Sequence, residues 1–524
     1  MAAIIPFSPE YEDYLRDESR RPGWAESISF PQDEQELRQT VRETGSLPLT
    51  IQGGRTGLAA GAAPNGGHVL NLSHMNRVLS ISESQGRFTL EVQPGLLLCQ
   101  LRTMLASRQL QLEGDLSPEA GRALDLFKAA PRQFFPPDPT ESTASLGGMA
   151  ACNSSGACSY KYGPTRPHIR GLHLVLADGD MLELQRGQCR AQGRELHLTT
   201  VNGRTIRLGL PDYELPLCKN AAGYYVQDGM DAVDLFIGSD GTLGIISQLT
   251  LELLPQPAHS CGLTCFFSGR DEEEAREQAL TYVEGLRGRE EVAAIEYFDG
   301  PALELLRQRQ QEEASLLTLG QLREAWRAAI YIELHSNGPE QARQALAQLA
   351  PLLQQAGGSP DQTRLGWSGA ELQRLHQFRH AIPETANLLV DRLKREHPTI
   401  TKHSADMAVP RGRLRSMLEM YTQDIAAGGY ASATWGHIGD DHLHVNLFPR
   451  DEDQFAAIKQ MQRAWAVQVC AWGGTVTAEH GVGKIKAPFL QIMYGAEGLA
   501  AMAGVKQALD PQGRLSPGNW FRQG

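Results

Sequence analysis

The sequence contains no run of about eighteen apolar residues, so no segment is suited to crossing a bilayer as a helix. It has no paired Cys-x-x-Cys. Its eight cysteines, at 99, 152, 158, 189, 218, 261, 265 and 470, lack the spacing of an iron–sulfur cluster or a zinc ribbon and are expected to be mostly buried small hydrophobes. It has no Lys/Arg tract, and 49 basic against 61 acidic residues leave a net charge of -12. That excludes the usual footprint of a nucleic-acid binder, and an anionic ligand would have to be met by local basic residues. Internal repeats and low-complexity tracts are also absent. The N-terminal apolar stretch, Ala2 to Phe7, is too short for a signal peptide and acidic residues soon follow it. The expectation is a cytoplasmic protein, with peripheral membrane contact and a homodimer both left open.

What is present is glycine and length. The 524 residues exceed what one core normally organises, so two to four folding units are expected, and 53 glycines are a surplus that needs a use. From Leu47 to about Pro255 the chain alternates glycine-rich turns with short β runs such as LPLTIQGG, RFTLEV and TLGIISQLTLELL. Helical spacing appears at 34–44 and 96–110. Residues 111–135 fit neither texture and suggest an inserted helical loop. Beyond 255–260, where PQPAHS fits a linker, amphipathic helices at about 271–287, 339–356, 411–426 and 451–472 alternate with β runs. This spacing predicts an antiparallel sheet covered on one face by helices, and an α+β protein as a whole.

Gln52-Gly53-Gly54-Arg55-Thr56-Gly57 follows a β run. Consecutive glycines let backbone N–H groups converge on an anion such as a pyrophosphate, although such a stretch alone is more often just a tight turn. A second loop runs from Pro136 through Thr140-Glu141-Ser142-Thr143-Ala144-Ser145-Leu146-Gly147-Gly148 to Asn153. A third is Gly238-Ser239-Asp240-Gly241-Thr242-Leu243-Gly244-Ile245-Ile246. In this order the three loops resemble the flavin-binding, PCMH-type domain of the vanillyl-alcohol-oxidase family, whose fold is two α/β subdomains. The resemblance implies FAD. Gly53, Gly54, Arg55, Thr56 and Gly57 would lie on the pyrophosphate, and Pro137, Ser142, Ser145, Gly147, Gly148 and Asn153 along the ribityl chain and isoalloxazine. Gly241 and Ile246 would lie along the flavin and adenine. The first loop holds Arg55 and no histidine, so the flavin is expected to be non-covalent, with His68 and His74 as the nearby alternatives for a tether.

Gly436-His437-Ile438-Gly439-Asp440-Asp441-His442-Leu443-His444-Val445-Asn446 puts three histidines within eight residues. His442 and His444 share one face of a β run, and Gly439 would permit the turn that returns His437. Thr477-Ala478-Glu479-His480-Gly481 follows. Two histidines and a carboxylate make a catalytic metal set with a position left open. The region is similar to the D-2-hydroxyacid dehydrogenases, flavoenzymes acting on D-lactate, D-2-hydroxyglutarate or glycolate. That similarity implies a divalent metal, typically zinc, on His437, His444 and Glu479, with His480 as the base. Phe378-Arg379-His380, Lys402 and Asn446 match the positions that hold the substrate. Asp441-His442 departs from that family, which usually has Gly-Asn there, and Asp391 to Pro398 looks inserted. In the closing segment, Ser516 and Asn519 replace the commoner Asn and Lys, Asn519 remaining a candidate for the flavin.

These resemblances divide the chain into an FAD domain at 1–256, a substrate and metal domain at 257–480 and a returning segment at 481–524. They imply oxidation of a small D-2-hydroxy acid to the 2-oxo acid, the hydroxyl proton going to His480 and the hydride to flavin N5. Glu479 and His480 being adjacent, a change at either is expected to impair both roles. The electron acceptor stays open between a quinone, an electron-transfer flavoprotein, oxygen and an iron–sulfur subunit. Two rivals remain. The alkyl-glycerone-phosphate synthase branch shares the flavin domain, but carries a run of histidines where this chain has Ala478-Glu479-His480. The other is a flavin-binding subunit without catalysis, favoured only by Asp441-His442.

Overall fold

A computed structural model describes residues 3–112, 114, 116–397, 399–400 and 403–521. The N-terminal half is built on two sheets. The first has four strands in the order Ile5–Pro6, Ser27–Ser29, His68–Asn71, Leu49–Gln52, with parallel pairing of both neighbours to His68–Asn71. The second is antiparallel, ordered Val78–Ser84, Arg87–Val92, Ile245–Glu252, Ile169–Val175, Met181–Gln185. Helix Glu34–Glu43, capped by the Asp33 carboxylate on the Glu36 N–H, closes the space between them. There Leu37, Val41, Leu49, Leu70, Val175, Met181 and Ile245 form one apolar cluster. Leu515 joins it from the far end of the chain, and Arg514 donates to the carbonyls of Leu47, Val41 and Ala177, so the closing segment packs on this half. Residues 118–129 form the expected inserted helix.

His68 lies in the core of the first sheet, fully buried, with its two ring nitrogens on the hydroxyls of Ser27 and Ser29. Neither it nor His74, which packs on Phe30, lines the cavity described below. Burial lowers the His68 pKa from 6.5 to about 4, so folding selects the neutral ring. Its contribution to stability is complete above pH 6.5 and is lost as the pH falls through 4. The loss is up to about 3 kcal/mol. Thermal melts taken from pH 7 down to pH 4 are therefore expected to fall less steeply in His68→Asn than in the parent, from a lower starting point.

The C-terminal half carries a seven-stranded antiparallel sheet ordered Thr363–Gly366, His259–Phe267, Ala328–Ser336, Val292–Asp299, Ala431–Gly436, His442–Phe448, His403–Ala408. Helices cover both faces, not the single face that the sequence suggested. Alternation along the strands explains why. Leu263, Cys265 and Phe267 pack with helices Glu272–Leu286 and Pro339–Gln355, while Phe266, Phe298 and Tyr331 pack with Gly300–Glu312 and Gly369–Glu396. The interval from Asp391, which looked like an insertion, continues the last helix as far as Glu396. Cys158, Cys261 and Cys265 are buried; the other five cysteines are only partly so, and all eight are free thiols. No helix among the described residues is long and apolar enough to cross a membrane.

Candidate active site at the junction of the glycine loops and the histidine strands

Three neighbouring strands bring the polar cluster together. His403–Ala408 pairs with His442–Phe448 so that Asp406 faces His444, and Ala431–Gly436 delivers His437 from the next strand. Gly436 sits at φ +139 as that strand ends, and the left-handed residue of the following turn is Asp441, at φ +53. Gly439, expected from the sequence to permit this turn, has no positive φ, but a Cβ there would stand 2.7 Å from the Tyr160 ring. A short Asp side chain tolerates the left-handed region. Asp441 is fixed there by a buried ion pair with Arg287, whose guanidinium also donates to the Ile438 carbonyl.

His437, His442, His444 and Glu479 each offer a donor atom, all within 4.8 Å of one another. His437 Nε2 is 2.9 Å from Glu479 Oε2, and its Nδ1 is 2.6 Å from Glu296. His444 Nε2 lies 3.6 Å from the same Glu479 oxygen, and its Nδ1 is buried without a hydrogen-bond partner. A divalent ion suits such a set, in which imidazole nitrogens and one carboxylate converge and a carboxylate stands behind the ring of His437. Burial works against the charge of Glu479, but Lys219 and His437 hold its pKa well below the usual carboxylate range.

His480 is turned the other way. Its Nδ1 is 3.3 Å from Asp406 Oδ2, its backbone N–H donates to the same oxygen at 3.1 Å, and its ring stacks on His444. Burial pushes the His480 pKa down against the pull of Asp406, with Lys486 adding to the drop, so the ring is a neutral acceptor. Asp406 itself is buried and accepts from His442 Nε2, Thr477 Oγ1 and Lys486 Nζ.

One cavity is lined both by Gly53 to Gly57, Ser145, Gly147, Gly148, Gly241 and Ile246 and by His437, His444, Glu479 and His480. The first loop suits an anion. Among the described residues the N–H groups of Arg55, Thr56, Gly57 and Leu58 meet no acceptor in the protein. Ser145 Oγ accepts from the Gly54 and Gly148 N–H groups and knits the first two loops. A Cβ at Gly53 would stand 2.1 Å from that oxygen, and one at Gly54 would stand 2.7 Å from the Thr143 carbonyl. Gly54→Ala is therefore expected to force the loops apart at a cost of about 1–3 kcal/mol. In the purified protein this would be measured as a roughly ten- to hundredfold loss of flavin affinity by fluorescence titration.

The remaining candidates lie elsewhere. Pro137 accepts from Arg102, Ser142 accepts from the Cys99 N–H, and Asn153 ends a helix in the left-handed region with Oδ1 on the Arg166 N–H; none of them lines this cavity. Asn519 works as a latch, donating to the carbonyls of Gly61 and Asp240 and accepting from Lys484. Arg379 is buried 3.9 Å from Glu296, which together with Asp138 raises its pKa against burial; it and Asn446 do not line the cavity either. Lys402 lies outside the described residues.

Sequence reasoning missed Asp406, Glu296, Asp240 and Lys219. Asp240 takes the N–H groups of Val482 and Gly483 and the Trp520 indole, fastening the Glu479-His480 loop to the third glycine loop. Lys219 arrives from the N-terminal half, with its ammonium buried 3.5 Å from Glu479 and no hydrogen-bond partner. No motif announces Glu296 or Lys219, single charged residues brought in by long-range packing; Asp240 sits inside the third glycine loop and Asp406 four residues after Lys402, and the sequence alone gives neither a role.

Residues 25–121 and 119–185 match the model of the FAD binding domain, and residues 273–520 match that of the FAD linked oxidases, C-terminal domain. The chain is 27% identical over 503 residues to the glycolate oxidase subunit GlcD of Bacillus subtilis, covering 95% of this chain and 89% of that one. It is 26% identical to a D-lactate dehydrogenase of Anaerostipes hadrus (97% and 92%) and 26% identical to a D-2-hydroxyglutarate dehydrogenase of Stutzerimonas stutzeri (94% and 90%). Among solved structures, an alkyldihydroxyacetonephosphate synthase superposes with a TM-score of 0.59 at 15% identity, covering 95% of this chain and 77% of that one, a likeness of fold alone.

Proposed function

This chain belongs to the FAD-linked oxidases, and from that premise we propose that it oxidises a D-2-hydroxy acid to the 2-oxo acid with the help of a divalent metal ion. The observation that carries this reading is the single cavity joining the glycine loops to His437, His444, Glu479 and His480. Bound non-covalently there, the flavin would take the substrate's hydride at N5, and a divalent ion at the cluster would lower the pKa of the substrate hydroxyl.

The chain's own residues supply the rest. His480 accepts the hydroxyl proton, since Asp406 faces its Nδ1 and its ring opens on the cavity. His437, His444 and Glu479 hold the ion, with Glu296 orienting His437. Arg379 and Lys219 bring positive charge towards the acidic cluster, while Arg379, Lys402 and Asn446 are assigned to the substrate by resemblance. On this reading residues 1–256 carry the flavin, 257–480 the substrate and metal, and 481–524 return to the flavin domain.

The test is anaerobic. D-lactate, D-2-hydroxyglutarate and glycolate are added in turn to the purified protein, before and after chelation, with no other electron acceptor present. Bleaching of the flavin by a D-acid and not its L-enantiomer, abolished by chelation, is expected. No bleaching by any 2-hydroxy acid would overturn the reading.

A further inference from the structure

His442 stands in the turn where this chain leaves the pattern of the enzymes it resembles, and its environment differs from that of an ordinary core histidine. His68 provides the comparison within the same molecule. Both rings are wholly buried, but His68 has both nitrogens satisfied by serine hydroxyls. His442 has only one. Its Nε2 is 2.8 Å from Asp406 Oδ1, while its Nδ1 is buried with no hydrogen-bond partner. Leaving such an atom unpaired costs about 1–3 kcal/mol, so the arrangement needs a reason.

The tautomer follows from the partner. Asp406 is held ionised by Lys486 and by the hydroxyl of Thr477, and a carboxylate that only accepts obliges Nε2 to carry the proton. Nδ1 therefore presents a lone pair. It lies 3.9 Å from Glu479 Oε2, and the ring centroids of His442 and His444 are 4.5 Å apart. Asp406 stands behind His442 as Glu296 stands behind His437, each bound to the nitrogen turned away from the cluster.

We propose that His442 is a fourth protein ligand of the divalent ion, making a donor set of three imidazoles and one carboxylate built for an ion that accepts six ligands. The inference rests on the metal-dependent reading above and narrows it. Four protein donors would complete a tetrahedral zinc ion, as in structural zinc sites. A 2-hydroxy acid chelating through its hydroxyl and carboxylate needs two more positions. Mixed imidazole and carboxylate donors with six positions suit manganese, iron(II) or cobalt.

The experiment uses the flavin-loaded protein, stripped of metal and titrated separately with Mn²⁺, Co²⁺ and Zn²⁺ against a competing chelator, in the parent, His442→Asn, His442→Gln and His437→Ala. One ion per chain is expected. Each His442 variant should weaken binding at least about tenfold and alter the visible spectrum of the Co²⁺ form, with flavin content kept. If both His442 variants bind every ion as the parent does while His437→Ala loses it, His442 is a packed core residue and only this inference falls. If the parent holds no ion, or His437→Ala holds it unchanged, the metal-dependent reading falls and takes this one with it.

Discussion

Replacing Asp406 with alanine is expected to lower stability by about 3–5 kcal/mol and to slow flavin reduction by substrate at least about a hundredfold. The carboxylate is buried and serves four partners: the Lys486 ammonium at 2.5 Å, Thr477 Oγ1 at 2.7 Å, His442 Nε2 at 2.8 Å and the His480 N–H at 3.1 Å. Its removal leaves the Lys486 ammonium, a largely buried cation, uncompensated, and that loss dominates the stability term. It also frees two imidazoles to rotate, which is the functional term. The two can be separated. Adding Lys486→Met to Asp406→Asn deletes the stranded charge, so the melting temperature should recover while flavin reduction stays slow. A double variant that recovers both would show that Asp406 serves folding alone.

The parts of the fold that were legible in the sequence are those fixed locally. The helices at 272–286, 339–355, 414–428 and 452–471 follow from apolar spacing within one element and lie within a few residues of their expected bounds. Strand order is different. Val292–Asp299 pairs with Ala431–Gly436 across more than a hundred residues, and no local pattern encodes that choice. The single covered face was misjudged for a related reason: the strands Ala328–Ser336 and Val292–Asp299 are buried on both sides, mostly through apolar residues, and so they demand cover on both.

The site divides in the same way. His437, His444, Glu479 and His480 sit in short motifs and could be named from their neighbours. Asp406 becomes visible only when its strand is laid against His442–Phe448, which sets it opposite His444. Glu296 and Arg287 belong to the strand and the loop that follow helix Glu272–Leu286, more than 140 residues before the groups they steady, His437 for Glu296 and Asp441 for Arg287. Gly439 is the residue the sequence offers for the turn that returns His437; the left-handed position is Asp441, paired with Arg287.

The second large effect concerns Glu479 and His480, neighbours whose roles should be separable after all. The Glu479 carboxylate points to His437, His444 and Lys219, whereas the His480 ring points to Asp406 and the cavity. Glu479→Gln removes the carboxylate that faces His437, His442, His444 and the buried Lys219 ammonium, so metal content is expected to collapse, and flavin reduction with it. His480→Gly leaves the donor set intact. It should retain the flavin and the metal but reduce substrate-driven flavin bleaching by about 10²–10⁴-fold, the usual scale for losing a positioned general base. Because the glycine leaves space beside Asp406, added imidazole should restore part of the rate in a concentration-dependent way, and it should do nothing for Glu479→Gln. Metal lost from His480→Gly to the same extent as from Glu479→Gln would make His480 a support for the metal site rather than the proton acceptor. Full metal content with no rescue would leave its role as the base unsupported.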